Sequence, residues 1–341
     1  AGSAITSGAG NVAMGYQAGA GLTDTDNNVF IGYQAGDGAD GENNIGIGTN
    51  ALGDASSVVS DCVSIGFNAM ASADSGYDDR CVAIGSGALQ NQNGTANTLN
   101  VAIGYEACKA ITTGVGNLAI GYQAMMEHVD GSRNMAVGYG AMNGTQAGGT
   151  QSTSDGSIDN TFIGYDAGGG AWANAASNYN VAVGNYAMDA NLNGALSCTA
   201  LGYAALTSLT SGDYNVAIGQ GVFGAITGSN GNTGVGTFAG QSIASGVRNT
   251  LLGYNTLGAA NGSEAYNVCI GYSAGGSIDT DDSNNNVLIG FEAGVGGGAA
   301  MADCVAIGSG AMNSTAANAQ TGTVAIGKDA LTALTSGAGN V

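Results

Sequence analysis

One nine-residue string recurs along the whole chain. NVAMGYQAG at residues 11–19 returns as NVFIGYQAG at 28–36, NVAIGYEAC at 100–108, NLAIGYQAM at 117–125, NVCIGYSAG at 267–275 and NVLIGFEAG at 286–294. Aligned on its central glycine, the motif occurs 18 times: Gly15, Gly32, Gly48, Gly66, Gly85, Gly104, Gly121, Gly138, Gly164, Gly184, Gly202, Gly219, Gly236, Gly253, Gly271, Gly290, Gly308 and Gly327. Successive copies lie 16 to 20 residues apart, with one interval of 26 between Gly138 and Gly164. A short period sustained from end to end marks a repeat architecture. Residues 1–341 therefore read as a single array, with an extended loop at 143–159.

Each motif column has a physical reading. The residue before the glycine is always aliphatic, and two places earlier stands Val, Ile, Leu, Met or Thr. Apolar positions thus alternate, the period of a half-buried strand. A glycine that never varies points to a backbone with φ > 0, or to a close approach by another segment. Three residues later comes Ala in 16 of 18 copies, Val222 and Thr256 excepted, which predicts a tight inward corner. The first motif column is Asn in 13 copies, Cys at Cys62, Cys81, Cys198 and Cys304, and Thr at Thr323. A buried Asn there could bond its own turn and stack on the next Asn as a ladder. The connectors carry one more apolar residue and then Gly, Asn, Asp, Ser or Thr, which are turn formers.

The predicted fold is all-β: a parallel β-solenoid, or β-roll, of about 18 coils with one coil per 16–20-residue repeat. At about 4.8 Å per coil, such a rod would be roughly 85 Å long. A lone coil buries too little to offset its ordering entropy, so stacking is required. Composition agrees: 63 Gly, no Pro, 44% apolar residues and only 9% charged ones. Five Lys plus Arg against a net charge of −20 exclude an electrostatic footprint for nucleic acid. No run of 18 apolar residues exists to insert as a membrane span.

The N-V-A-I-G-Y-x-A motif resembles the repeats of two groups of surface fibres: the β-roll heads of trimeric autotransporter adhesins and the repetitive shafts of bacteriophage tail fibres. The resemblance covers essentially the whole chain. It implies a homotrimeric rod, extracellular, on a cell surface or virion, whose task is reach and adhesion. The repeat here is longer than in the adhesin heads, and neither a coiled-coil stalk nor a chaperone domain accompanies it.

Catalytic constellations are absent. His128 is the sole histidine, which removes Cys-His, Ser-His-Asp and His-rich metal sites, and its connector (residues 126–131, MEHVDG) reads as a solvated loop. No enzyme and no cofactor are expected, calcium apart. The acidic connectors 23–28, 37–44 and 279–286 place Asp24, Asp26, Asp37, Asp40, Asp279, Asp281 and Asp282 as candidate calcium ligands by composition. They match neither the EF-hand loop nor the nonapeptide array, and a solvated turn edge is the plainer reading. Cys62 and Cys81 occupy one column of adjacent coils, within reach of a disulfide; buried thiols are the alternative.

Tyr follows the invariant glycine at Tyr16, Tyr33, Tyr105, Tyr122, Tyr139, Tyr165, Tyr203, Tyr254 and Tyr272, with Phe67 and Phe291 as variants. These predict an aromatic ladder, serving either as a packing stripe or as a surface that binds glycan. The ladder is interrupted at positions that include Ser86, Asn185, Gln220, Thr237, Ser309 and Lys328. Residues 4–12 match 333–341 at eight of nine positions, and residues 1–10 lack the charged and apolar lead of a signal peptide. The functional expectation is a structural and adhesive fibre shaft that extends or presents attachment to a host or surface. Its partners are copies of itself, as a homotrimer or a head-to-tail polymer, and a surface glycan or receptor. The alternative is a self-assembling extracellular filament formed by head-to-tail stacking of solenoid ends.

Overall fold

In the computed structural model the chain is all-β, a parallel β-solenoid with one coil per ~18 residues. The structure describes residues 1–53, 59–72, 80–92, 98–144, 156–173, 175–260, 262–278, 282–297, 299–315, 319–334 and 337–341. Contacts divide the chain into two compact units, Ala1–Asn178 and Tyr179–Val341, and the same repeat builds each. In the first unit, three-residue strands from Val12–Met14 to Thr161–Ile163 pair in parallel, nine in all among the described residues. In the second, nine more run from Val181–Val183 to Val324–Ile326. Its last coils add a small sheet of Met301–Ala302, Gln320–Thr321 and Gly337–Ala338. Register follows the motif without slippage: Val101 faces Leu118, Ala102 faces Ala119 and Ile103 faces Ile120.

The glycine column meets both conditions that the sequence posed for it. Its φ values lie between 122° and 142°, outside the range of any residue with a Cβ. A Cβ on Gly104 would stand 2.2 Å from the carbonyl oxygen of Gly121, and the same collision recurs along the stack. Two further corners of each coil, two and four residues on, adopt φ near 50° with ordinary side chains such as Gln123 and Met125. These are left-handed turns that cost energy, and stacking holds them in place.

The strand alternation runs opposite to the usual expectation for a half-buried strand. The middle residue, mostly Ala, faces the interior, and the flanking Val and Ile face outward with partial exposure, as in Val82–Ile84 and Val101–Ile103. The interior is too narrow for two large rows. It is filled by the corner Ala (Ala107, Ala124), by the left-handed position after it (Leu89, Met125, Met142) and by the connector's apolar residue (Leu22, Ile111, Leu209).

In several coils, the strand's middle residue and the left-handed position trade volume. Where the former is Phe30 or Phe162, the latter is Gly36 or Gly168, and a Cβ on either glycine would lie 2.5 Å from the phenyl ring. Where the former is Ala, as at Ala119 and Ala136, Met125 and Met142 occupy the latter.

Candidate interaction face

The asparagine column is the spine of the interior. Asn117 Oδ1 accepts from the Asn134 backbone N–H at 2.9 Å, and Asn134 Oδ1 accepts from the Asn160 N–H at 3.0 Å. Each amide nitrogen reaches a connector carbonyl of the next coil, as Asn117 Nδ2 reaches Gly131 O at 2.8 Å. The run Asn215, Asn232, Asn249, Asn267 and Asn286 repeats the pattern. These groups are buried and satisfied, so the ladder is structural.

The six cysteines are buried thiols. Cys62 and Cys81 do not form the bridge weighed above. Cys62 Sγ meets the Ser60 carbonyl and the Cys81 N–H, and Cys81 Sγ lies 2.9 Å from Thr98 Oγ1. Parallel neighbours carry their side chains side by side, and each finds a polar partner without twisting. Burial pushes the Cys108 and Cys269 thiols up to about 12, which keeps them protonated and unreactive.

His128 is fully buried, where the sequence suggested a solvated loop. It stands in the connector's inward column alongside Ile111 and Leu209. Asn134 presents its amide nitrogen 3.1 Å from Nε2. The same amide nitrogen also donates to Ser157 O at 2.9 Å, and burial lowers the His128 pKa to about 4, so the ring is neutral at neutral pH. Gln92 fills the same column and likewise takes the ladder amide of Asn100 at 2.8 Å. No periodicity marks either residue, because each polar core residue depends on an amide from a different segment.

Among the calcium candidates, Asp24 accepts from the Thr23 hydroxyl and Asp26 from the Ala9 backbone N–H. Asp279 and Asp281, and residues 145–155 of the extended loop, lie outside the described residues. Among the described residues, no three His, Cys, Asp or Glu side chains gather where they could hold a metal ion.

The outward side of the sheet is different in kind. Its columns are the two aliphatic rows and the aromatic row after the glycine, and Lys328 is the only charged residue in them. Tyr105, Tyr122, Tyr139 and Tyr165 stack with ring centroids 5.2, 4.8 and 5.2 Å apart. Tyr16 stacks on Tyr33, and Tyr254, Tyr272 and Phe291 form a third stack. These tyrosines are 41% to 64% exposed. Crowding raises the Tyr122 phenol above its ordinary pKa, through desolvation and then its neighbours Tyr139 and Tyr105. Cations sit elsewhere: Arg133 grips Asp159 with two bonds of 2.7 and 2.8 Å, and Arg248 lies over the Tyr266 ring. Parallel sheets normally have both faces covered. Here one face, apolar and regular, is open.

No family model matches the chain, and no curated protein or solved structure matches it.

Proposed function

We propose that this protein is a non-enzymatic fibre shaft on a cell surface or virion, whose copies associate side by side through the open sheet face to extend or present attachment. The observation that carries this reading is the uncharged face of paired aliphatic rows and stacked tyrosines. Each unit offers roughly 500 Å² of such face at ~4.8 Å per strand, and a standard interface hides about 800 Å² per partner. A second copy is the occupant it suits best, because only another solenoid carries ridges at the same spacing. The surface location rests on the resemblance of the repeat to adhesin heads and tail-fibre shafts.

Sedimentation of the full chain, with negative-stain imaging of the same sample, tests the reading. The wild type should sediment as a discrete oligomer. Ile103→Lys combined with Ile120→Lys, two outward positions in the first unit, should weaken association by about a hundredfold or more, since each charge would be buried unpaired. Circular dichroism should stay unchanged. A monomeric wild type at all concentrations would refute side-by-side assembly.

A further inference from the structure

The aromatic row breaks at Gln220 and Thr237, and the surface beside this break in the second unit is hollow. Two and five residues after the motif glycine, most coils project side chains. The coil of Gly219 has Gly221 and Gly224 at those positions, followed by Ala225. At those positions, between the side chains of the coils on either side, only backbone and the Ala225 methyl remain. The result is a trough of about 550 Å³, within the size range of small-molecule sites. Tyr203, Gln220 and Phe238 line it, together with Thr207, Gln241 and Ser242.

A second observation singles out the same place. Two residues after the motif glycine the backbone is left-handed, and the side chain there is aromatic in two of 18 copies, Tyr186 and Phe238. Phe238 lines the trough, and Tyr186 stands one coil behind its other wall. Tyr186 packs edge-on against Tyr203 at 5.9 Å, and Phe238 against Tyr254 at 6.1 Å. Phe238 lies close over Gly221, where a Cβ would come within 3.0 Å of its ring. Apart from Tyr186, the other coils carry only Gly, Ala, Ser, Asn, Asp, Gln or Glu at this position, so a half-exposed Phe238 at φ 61° departs from the column, and it adds little to the core. Such an exception points to a ligand.

We propose that this trough binds a neutral saccharide. Tyr203 and Phe238 offer apolar ring faces for the C–H face of a pyranose. Gln220 and Gln241 each supply donors and an acceptor, the Ser242 hydroxyl adds one of each, and Thr207, whose hydroxyl already donates to Asp189, adds an acceptor, which matches hydroxyls that both give and accept. Neither a carboxylate nor an ammonium lines the trough, so nothing there selects a charged ligand. In the stacked runs, rings about 5 Å apart leave no room for a sugar. The break in the row is therefore the site. This inference deepens the adhesive part of the proposed function and rests on it.

The test is binding of the full chain to an immobilised panel of neutral oligosaccharides of glucose, galactose, mannose and N-acetylhexosamine type, with one sialylated arm. The wild type should bind at least one neutral arm. Phe238→Ala should weaken that binding on the order of tenfold. Gly224→Gln should abolish it by filling the trough. The fold accepts that change, since a Cβ there meets only ordinary contacts at 3.5 and 3.7 Å and Gln90 and Gln241 hold the equivalent position. Failure to bind any neutral arm, preference for the sialylated arm, or full binding by Gly224→Gln would overturn the proposal. So would loss of self-association in Gly224→Gln, which would make a second copy the occupant. Rods that form normally but bind no sugar would refute the trough alone, whereas sugar binding by a monomer would refute the fibre assembly alone.

Discussion

A buried histidine gives this protein a pH-dependent seam. Burial lowers the His128 pKa from 6.5 to about 4, and the Gly131 backbone bond and the Asp130 charge only partly offset that. Between those values the unfolded chain binds a proton that the folded chain refuses. The stability that neutral His128 contributes is complete above pH 6.5 and drains away as pH falls toward 4, by up to about 3 kcal/mol. His128→Leu should remove this component, because Leu209 and Ile111 already fill the column and Asn134 keeps its bond to Ser157 O. Urea midpoints measured at neutral pH and near pH 4 should fall further for the wild type than for the variant. Equal losses would place the acid sensitivity in the carboxylates instead. The invariant glycine and the asparagine ladder were legible residue by residue, since both depend only on a column repeating itself. His128 and Gln92 were not, because their partners come from the ladder of the next coil.

At the scale of one coil, the strand centre and the left-handed corner trade volume in some repeats. Phe30 with Gly36 and Ala119 with Met125 fill the same cross-section in opposite ways. Phe30→Ala should cost about 3–5 kcal/mol by opening a cavity. Gly36→Met alone should also destabilise, because its Cβ meets the Phe30 ring at 2.5 Å. The double change turns NVFIGYQAG into NVAIGYQAM, close to residues 117–125, and should recover at least about half of the loss. Thermal midpoints of the four proteins decide this, and simple addition of the two losses would refute the trade. The alternation of apolar residues foretold a strand but not which face is inside. Of the three strand residues only the middle one turns inward, and its size is set by what the corner opposite contributes.

Over the whole molecule, charge and apolar surface are segregated. The net charge of −20 falls in connectors and turns, while the sheet face is uncharged but for Lys328. Repulsion between connectors opposes the association that the face favours. Raising salt from about 0.01 M to about 1 M shortens the screening length from about 30 Å to about 3 Å and should tighten assembly. Sedimentation across that range should show the oligomer gaining on the monomer. Dissociation on adding salt would mean that ion pairs, rather than the apolar rows, hold the copies together.

By itself the sequence determined the period, the parallel stacking, the glycine turn and the asparagine ladder. Each of these recurs in most or all coils, so one coil's chemistry is enough to specify it. Only the tertiary structure decided which side of the strand meets water, that Cys62 and Cys81 remain thiols, that His128 is buried, and that a missing pair of side chains opens a trough beside Phe238. Those outcomes depend on the width of the coil's interior and on what the neighbouring coils place against each position, and a single motif does not encode either.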